Sequence, residues 1–287
     1  MKELLFLEPI VKELIWGLEY WTVSAHPNGD GKIKNGAYAG RTLSWLWENR
    51  RELFGNIEGD RFPLLVKKID AREDLSIQVH PNDVYAGANE SGSFGKTECW
   101  YIVNCKPDGT IIVGHHAKSK AEAEKMIQNN EWTSLLREVP IKKGDFFQIE
   151  PGTVHAIKNN TVIMEIQQSS DITYRLYDYG RLKDGRPREL HIQKSLDVMQ
   201  IPYEEADRHT GGVPGRLVSC DFYAVDKLEV EGEQELMQDK PFQILSVIEG
   251  EGDVDGNRIV AGDSFIIPYA YGAYRLTGKI TVLITSP

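Results

Sequence analysis

The chain has 287 residues, 26% of them charged and 41% hydrophobic, and a formal net charge of −10. That length and mix suit a globular protein of one large or two ordinary domains, and the acidic balance argues against general binding to nucleic acid or anionic lipid. No apolar run approaches the roughly 20 residues of a membrane helix, which argues against a membrane protein.

The N-terminus, "MKELLFLEPIVKEL", sets Glu3, Glu8 and Glu13 among its apolar residues and has no cleavage pattern, so no secretory signal is expected. Three cysteines (Cys99, Cys105 and Cys220) make neither a disulfide framework nor a C-x-x-C metal pair. A reducing cytoplasm is the expected compartment.

Along the chain, short apolar segments alternate with Gly, Pro, Asn and Asp, a spacing that predicts a mainly β fold. Residues 41–53 carry a helical pattern. Strands are expected over 63–69 "PLLVKKI", 75–80 "LSIQVH", 98–103 "ECWYIV" and 110–113 "TIIV". Helix formers with apolar residues at Ala121, Met126, Ile127, Leu135 and Leu136 predict a helix over 118–137. Strands follow over 145–149 and 162–167, then a helix over 190–199. The polar, Gly-rich stretch 204–215, "EEADRHTGGVPG", marks a domain boundary. Beyond it, strands are expected over 242–249, 264–267 and 280–284.

The two halves share a pattern. Residues 144–159, "GDFFQIEPGTVHAIKN", and 262–275, "GDSFIIPYAYGAYR", both read Gly-Asp, strand, Pro, Gly turn, strand. Two β-barrels of one type would produce this. Three residues past the Gly stands His155 in the first copy and Arg275 in the second, and residues 216–287 contain no histidine. The second barrel is therefore expected to be metal-free. The expected domains are 1–205, metal-binding with helical insertions, and 212–287, a degenerate β domain.

Gln78 and His80, two apart on one strand, emerge on one face. Glu98 opens a later strand, and His155 follows a Pro-Gly turn at the head of another. A small barrel directs alternate side chains inward, so these four could converge on one ion with a position left for water or substrate. Between Arg175 and Arg188, "RLYDYGRLKDGRPR" holds five basic residues against two aspartates, a place where an acidic protein could hold an anion.

The stretches "FPLLVKKIDAREDLSIQVHPND", "GKTECWYI" and "EPGTVHAIKNNTVIMEIQQSSDITYRLYDYGR" closely resemble type I mannose-6-phosphate isomerases of the short bacterial form. The resemblance runs from Trp16-Gly17 to about Leu196 and implies a mainly β fold of two cupin (jelly-roll-type) barrels, the second smaller. It implies one Zn2+ held by Gln78, His80, Glu98 and His155. It further implies interconversion of mannose 6-phosphate and fructose 6-phosphate, a small sugar phosphate being the expected partner, with no nucleic acid or membrane. By position, Ser76, Lys96 and Arg181 match residues near phosphate or sugar, Arg175 matches the functional arginine, and Glu165 matches a glutamate in the site. An aldose–ketose isomerase moves a proton between adjacent carbons, for which an inward carboxyl at Glu165 and the permanent cation of Arg175 are suited. Two histidines and one carboxylate also suit ferrous iron. A sugar-phosphate-binding cupin without turnover would keep the same pocket.

Overall fold

A computed structural model describes residues 3–206 and 208–287. The fold is mainly β, with each expected strand present. Among the described residues, no helix is long and apolar enough to cross a membrane.

The chain forms two compact units, one of Glu13–Glu19 with Ile69–Gly211, the other of residues up to Lys12, Tyr20–Lys68 and Gly212–Pro287. The crossing at Gly211–Gly212 falls within the Gly-rich stretch 204–215. Residues 20–68 belong to the second unit for reasons of packing. Trp47, Phe54 and Phe62 gather around Phe242 with ring centroids 5.0–5.6 Å apart, mostly edge-on or tilted. The short strand Leu5–Phe6 likewise pairs antiparallel with Ser264–Pro268.

In the first unit, one sheet runs in the order Leu136–Pro140, Thr110–His115, His155–Ala156, Ile77–Val79, Tyr174–Tyr177. A second sheet places Arg208–His209, Phe146–Ile149, Glu98–Cys105 and Thr161–Gln168 side by side. Segments such as "TVIMEIQQ" and "TIIVGH" are rich in β-branched residues, which pack well on a pleated surface. Trp100, Ile102, Phe147, Ile149 and Ile163 of one sheet share a core with Ile111 and Val113 of the other. On the outer face of the five-stranded sheet, Ile77, Ile112, Ala156 and Leu176 pack with Ala123, Ile127 and Leu196 of the helices. With Ile77 turned outward, alternation turns Gln78 inward. Register then sets His155 opposite Gln78 and Gln78 opposite Arg175, so three strands put one row of polar side chains on the inner face.

The helix predicted over 118–137 is broken. Lys120–Gln128 is helical, Trp132–Leu135 forms a single turn, and Leu136–Pro140 is a strand. Asn130 takes a left-handed backbone (φ 55), which asparagine tolerates better than most residues and which stops a helix. Past Leu135 the chain pairs with Thr110–His115, and those ladder bonds override the local preference of "LLR". The pattern at 41–53 resolves into a helix at Leu43–Asn49, capped by Thr42 accepting from the Trp45 amide, followed by a 3-10 turn at Arg51–Phe54. Residues 190–199 hold the helix Ile192–Val198. A helix at Asp83–Asn89, capped by Asn82, was not anticipated.

The second unit is built on three long strands, Ala224–Gln238, where none was expected, and Phe242–Val254 and Gly272–Ser286, both longer than the expected segments. Gly232, Gly278 and Gly252 stand in one row across them. A Cβ at Gly252 would lie 2.0 Å from the Thr277 carbonyl oxygen, and one at Gly278 would lie 2.5 Å from that of Glu251, so the close approach of these strands requires glycine. Arg275, the counterpart of His155, is exposed with its guanidinium 3.5 Å from Glu233.

Candidate metal centre

His80, Glu98 and His155 are all buried, with ligand atoms within 4.8 Å of one another. Three backbone features bring them together. His80 lies one residue past the end of Ile77–Val79, Glu98 is the first residue of its strand, and His155 starts a two-residue strand after the Pro151-Gly152 turn. Gly152 takes φ 88, and a Cβ there would meet the Val198 carbonyl oxygen at 2.7 Å, so the turn that delivers His155 needs glycine.

Hydrogen bonding fixes both imidazoles. His155 Nδ1–H donates to the Thr153 carbonyl at 2.8 Å, and His80 Nδ1–H donates to the Ile172 carbonyl at 2.7 Å. A carbonyl oxygen only accepts, so each Nδ1 carries the proton and each Nε2 presents a lone pair. Those two Nε2 atoms lie 3.1 Å apart. Glu98 adds carboxylate oxygens 3.4 Å from His155 Nε2 and 3.7 Å from His80 Nε2. Two lone pairs and a buried carboxylate aimed at one point repel each other unless a cation lies among them. Burial above all, then the Lys96 ammonium, lowers the His155 pKa to about 3, so the ring is neutral at ordinary pH and able to serve as a ligand.

Among the other sequence-predicted residues, Gln78 joins the group with Nε2 3.3 Å from His155 Nε2. Ligation through Oε1 needs the amide turned over about its last torsion, a broad two-fold rotation. Lys96 is drawn onto the ligands, its ammonium touching Glu98 and lying 3.2 Å from His80 Nε2. Glu165 stands opposite Trp100 and accepts its indole N–H at 3.0 Å, with its other oxygen 3.6 Å from Lys96. Arg175 is placed beside Gln78 and donates from Nη1 to the Glu189 carbonyl at 2.9 Å. Its buried Nε has no hydrogen-bond partner. Ser76 is buried just before the Ile77–Val79 strand. The donor set of two neutral imidazoles, one carboxylate and a nearby amide fits a divalent cation such as zinc.

Arg181 is placed differently. It pairs with Asp178 at 2.5 Å and also donates to the Asp74 carbonyl, while Arg188 grips the same carboxylate through two nitrogens. The basic run is thus partly neutralised from within. Burial pushes the Asp178 carboxyl up, but Arg188 and Arg181 outweigh it and leave the pKa below the ordinary value. A carboxyl depressed on folding stabilises fully above about pH 4 and loses that contribution as pH falls through the folded value. Asp178→Asn is therefore expected to lower Tm at pH 7, with the gap to the parent narrowing as pH falls below the ordinary carboxylate range. Thermal melts across this range check it, and a gap independent of pH would contradict it.

Some contributors were not singled out in the residue pattern. Gln167, fully buried opposite Glu98, donates from Nε2 to the Gln168 and Ser170 carbonyls. Gln168 accepts the Thr97 amide at 2.8 Å and so braces the strand start between Lys96 and Glu98. A buried "QQSS" run was the available clue, because so many polar side chains enter a core only when partnered.

Comparison with known proteins agrees with this geometry. Residues 8–104 match the family model for the phosphomannose isomerase type I catalytic domain, and residues 215–287 match that for the mannose-6-phosphate isomerase cupin domain. Mannose-6-phosphate isomerase ManA of Bacillus subtilis is 45% identical, covering 99% of this chain and 98% of the relative. A mannose-6-phosphate isomerase of Streptococcus mutans is 39% identical over 99% and 98%. The crystal structure of the mannose 6-phosphate isomerase from Bacillus subtilis superposes with a TM-score of 0.95 at 42% identity, covering 99% of both chains. The fold is that of the cupins, and the chain belongs to the type I mannose-6-phosphate isomerase family.

Proposed function

We propose that this chain is a zinc-dependent aldose–ketose isomerase that interconverts mannose 6-phosphate and fructose 6-phosphate through an enediol-type intermediate. One observation carries the metal requirement. Two buried imidazoles, each with its proton committed to a backbone carbonyl, point unprotonated nitrogens at each other from 3.1 Å beside a carboxylate. His80, Glu98 and His155 hold the zinc, with Gln78 as a fourth ligand. Bound zinc supplies Lewis acidity toward the sugar's oxygens.

The chain's own residues do the rest. Glu165 carries the proton between C2 and C1, its carboxylate oriented by the Trp100 N–H. Arg175 donates toward the oxygen on which negative charge develops, and its buried, partnerless Nε–H suits this role. Lys96, whose ammonium lies 3.2 Å from His80 Nε2, would contact the phosphate once the metal occupies that lone pair. Arg181 and Ser76 complete the substrate contacts, and residues 212–287 carry no metal.

Neutralising Lys96 or Arg181 is expected to raise KM for the sugar phosphate by the equivalent of roughly 1.5–3 kcal/mol. Weak turnover of unphosphorylated mannose should barely change. Equal losses on both sugars would place these residues elsewhere in the reaction. A coupled assay on zinc-loaded protein tests the activity itself, with steady production of fructose 6-phosphate expected. Binding without turnover would leave a sugar-phosphate-binding cupin, and oxygen uptake with iron bound would point to an oxygenase.

A further inference from the structure

Arg175 lies on Tyr174–Tyr177, the edge strand of its sheet. An edge strand exposes every other N–H and C=O, and such a strand is easily displaced. At Arg175 both outward groups are taken by one residue. The Arg175 amide donates to His191 Nδ1 at 3.1 Å, and the His191 amide donates back to the Arg175 carbonyl at 2.7 Å. Because these groups point away from the Ile77–Val79 strand, Arg175 and Gln78 form the non-hydrogen-bonded kind of antiparallel pair, in which side chains lie closest. Two residues upstream, the Glu189 carbonyl takes Arg175 Nη1–H at 2.9 Å. The segment 189–191 therefore grips Arg175 at its amide, its carbonyl and its guanidinium. A bulge follows between Arg175 and Tyr177 and interrupts the ladder before it resumes with Tyr177 opposite Ile77.

We propose that His191 is the positioning residue for Arg175: its Nδ1 and amide clamp the edge-strand backbone and thereby set the guanidinium beside Gln78. This rests on the reading that Arg175 serves the chemical step. His191 is itself anchored as the residue before the Ile192–Val198 helix, its carbonyl accepting from the Ser195 amide at 2.8 Å. Its Nδ1 accepts only when unprotonated. Burial favours that state, with Arg175 and Lys194 acting in the same direction and Glu189 and Glu90 opposing it, while the Tyr174 ring lies 6.1 Å away.

The test compares three variants of the zinc-loaded full chain. Asn places an acceptor oxygen near the position of Nδ1, Gln places one near Nε2, and Ala has none. His191→Ala and His191→Gln are expected to lose about ten- to a hundredfold in kcat with KM changed less than about threefold. His191→Asn should recover to within about threefold of the parent. Zinc content should stay equal in all three, and the Arg175 amide should exchange with solvent faster in the Ala and Gln variants than in the Asn variant. In an Arg175→Ala background, His191→Ala should cost nothing further. Full kcat in His191→Ala, an Asn variant as poor as Ala, or equal loss in the Arg175→Ala background would each overturn the proposal. Full kcat in Arg175→Ala alone would instead overturn the assignment of Arg175, whatever His191 does to amide exchange.

Discussion

Arg175→Ala is expected to turn over about a hundred- to a thousandfold more slowly than the parent while keeping its zinc, the size of effect seen when a preorganised donor to developing charge is lost. The geometry supports the separation. The guanidinium is attached to the chain through the Glu189 carbonyl, whereas His80 and His155 are held by the Ile172 and Thr153 carbonyls, so its removal leaves those contacts intact. Burial holds its pKa below the ordinary arginine value, and Asp178 partly offsets the neighbouring Arg188 and Arg181, yet it stays a cation at any working pH. A donor that acts on charge absent from the ground state lowers kcat more than it raises KM. Steady-state kinetics with parallel metal analysis checks this. Loss of zinc, or near-normal kcat with full metal, would remove Arg175 from the chemical step.

His155→Ala should fail differently, losing both metal and stability. A ligand set that binds only in the folded state stabilises by about 2.7 kcal/mol when free metal is a hundred times Kd. For a chain of this size that corresponds to roughly 5–11 °C in Tm. A chelator should therefore lower the parent's Tm by that amount and leave the variant's Tm unmoved. If the chelator shifts both equally, the metal is held elsewhere.

The contrast between these two residues shows what the residue pattern could convey. Gln78, His80, Glu98 and His155 were legible because strand alternation has a fixed period, and a Pro-Gly turn announces where a strand begins. Glu165 was singled out by the resemblance rather than by spacing, and its strand position opposite Trp100 followed only from the register. The clamp at His191 was not, because it depends on which groups of an edge strand are left unpaired, a matter of long-range register. The same limit explains why residues 20–68 gave no sign of packing around Phe242, and why Ala224–Gln238 was not anticipated. That strand is mostly exposed past Val230, so it lacks the buried alternation that marks a strand. The break at Asn130 was overlooked because the helix formers on either side of it dominate the composition. The contact of Lys96 with His80 and Glu98 was not legible either, because it depends on where a long, flexible side chain comes to rest.

The most direct test of zinc-dependent isomerisation is a metal titration followed by activity. Protein stripped by a chelator should not convert mannose 6-phosphate. Added zinc should restore turnover in proportion to occupancy and reach its limit at one zinc per chain, since among the described residues His80, Glu98 and His155 are the group gathered to hold a metal. Full turnover by the metal-free protein, or saturation at two zincs per chain, would contradict the account.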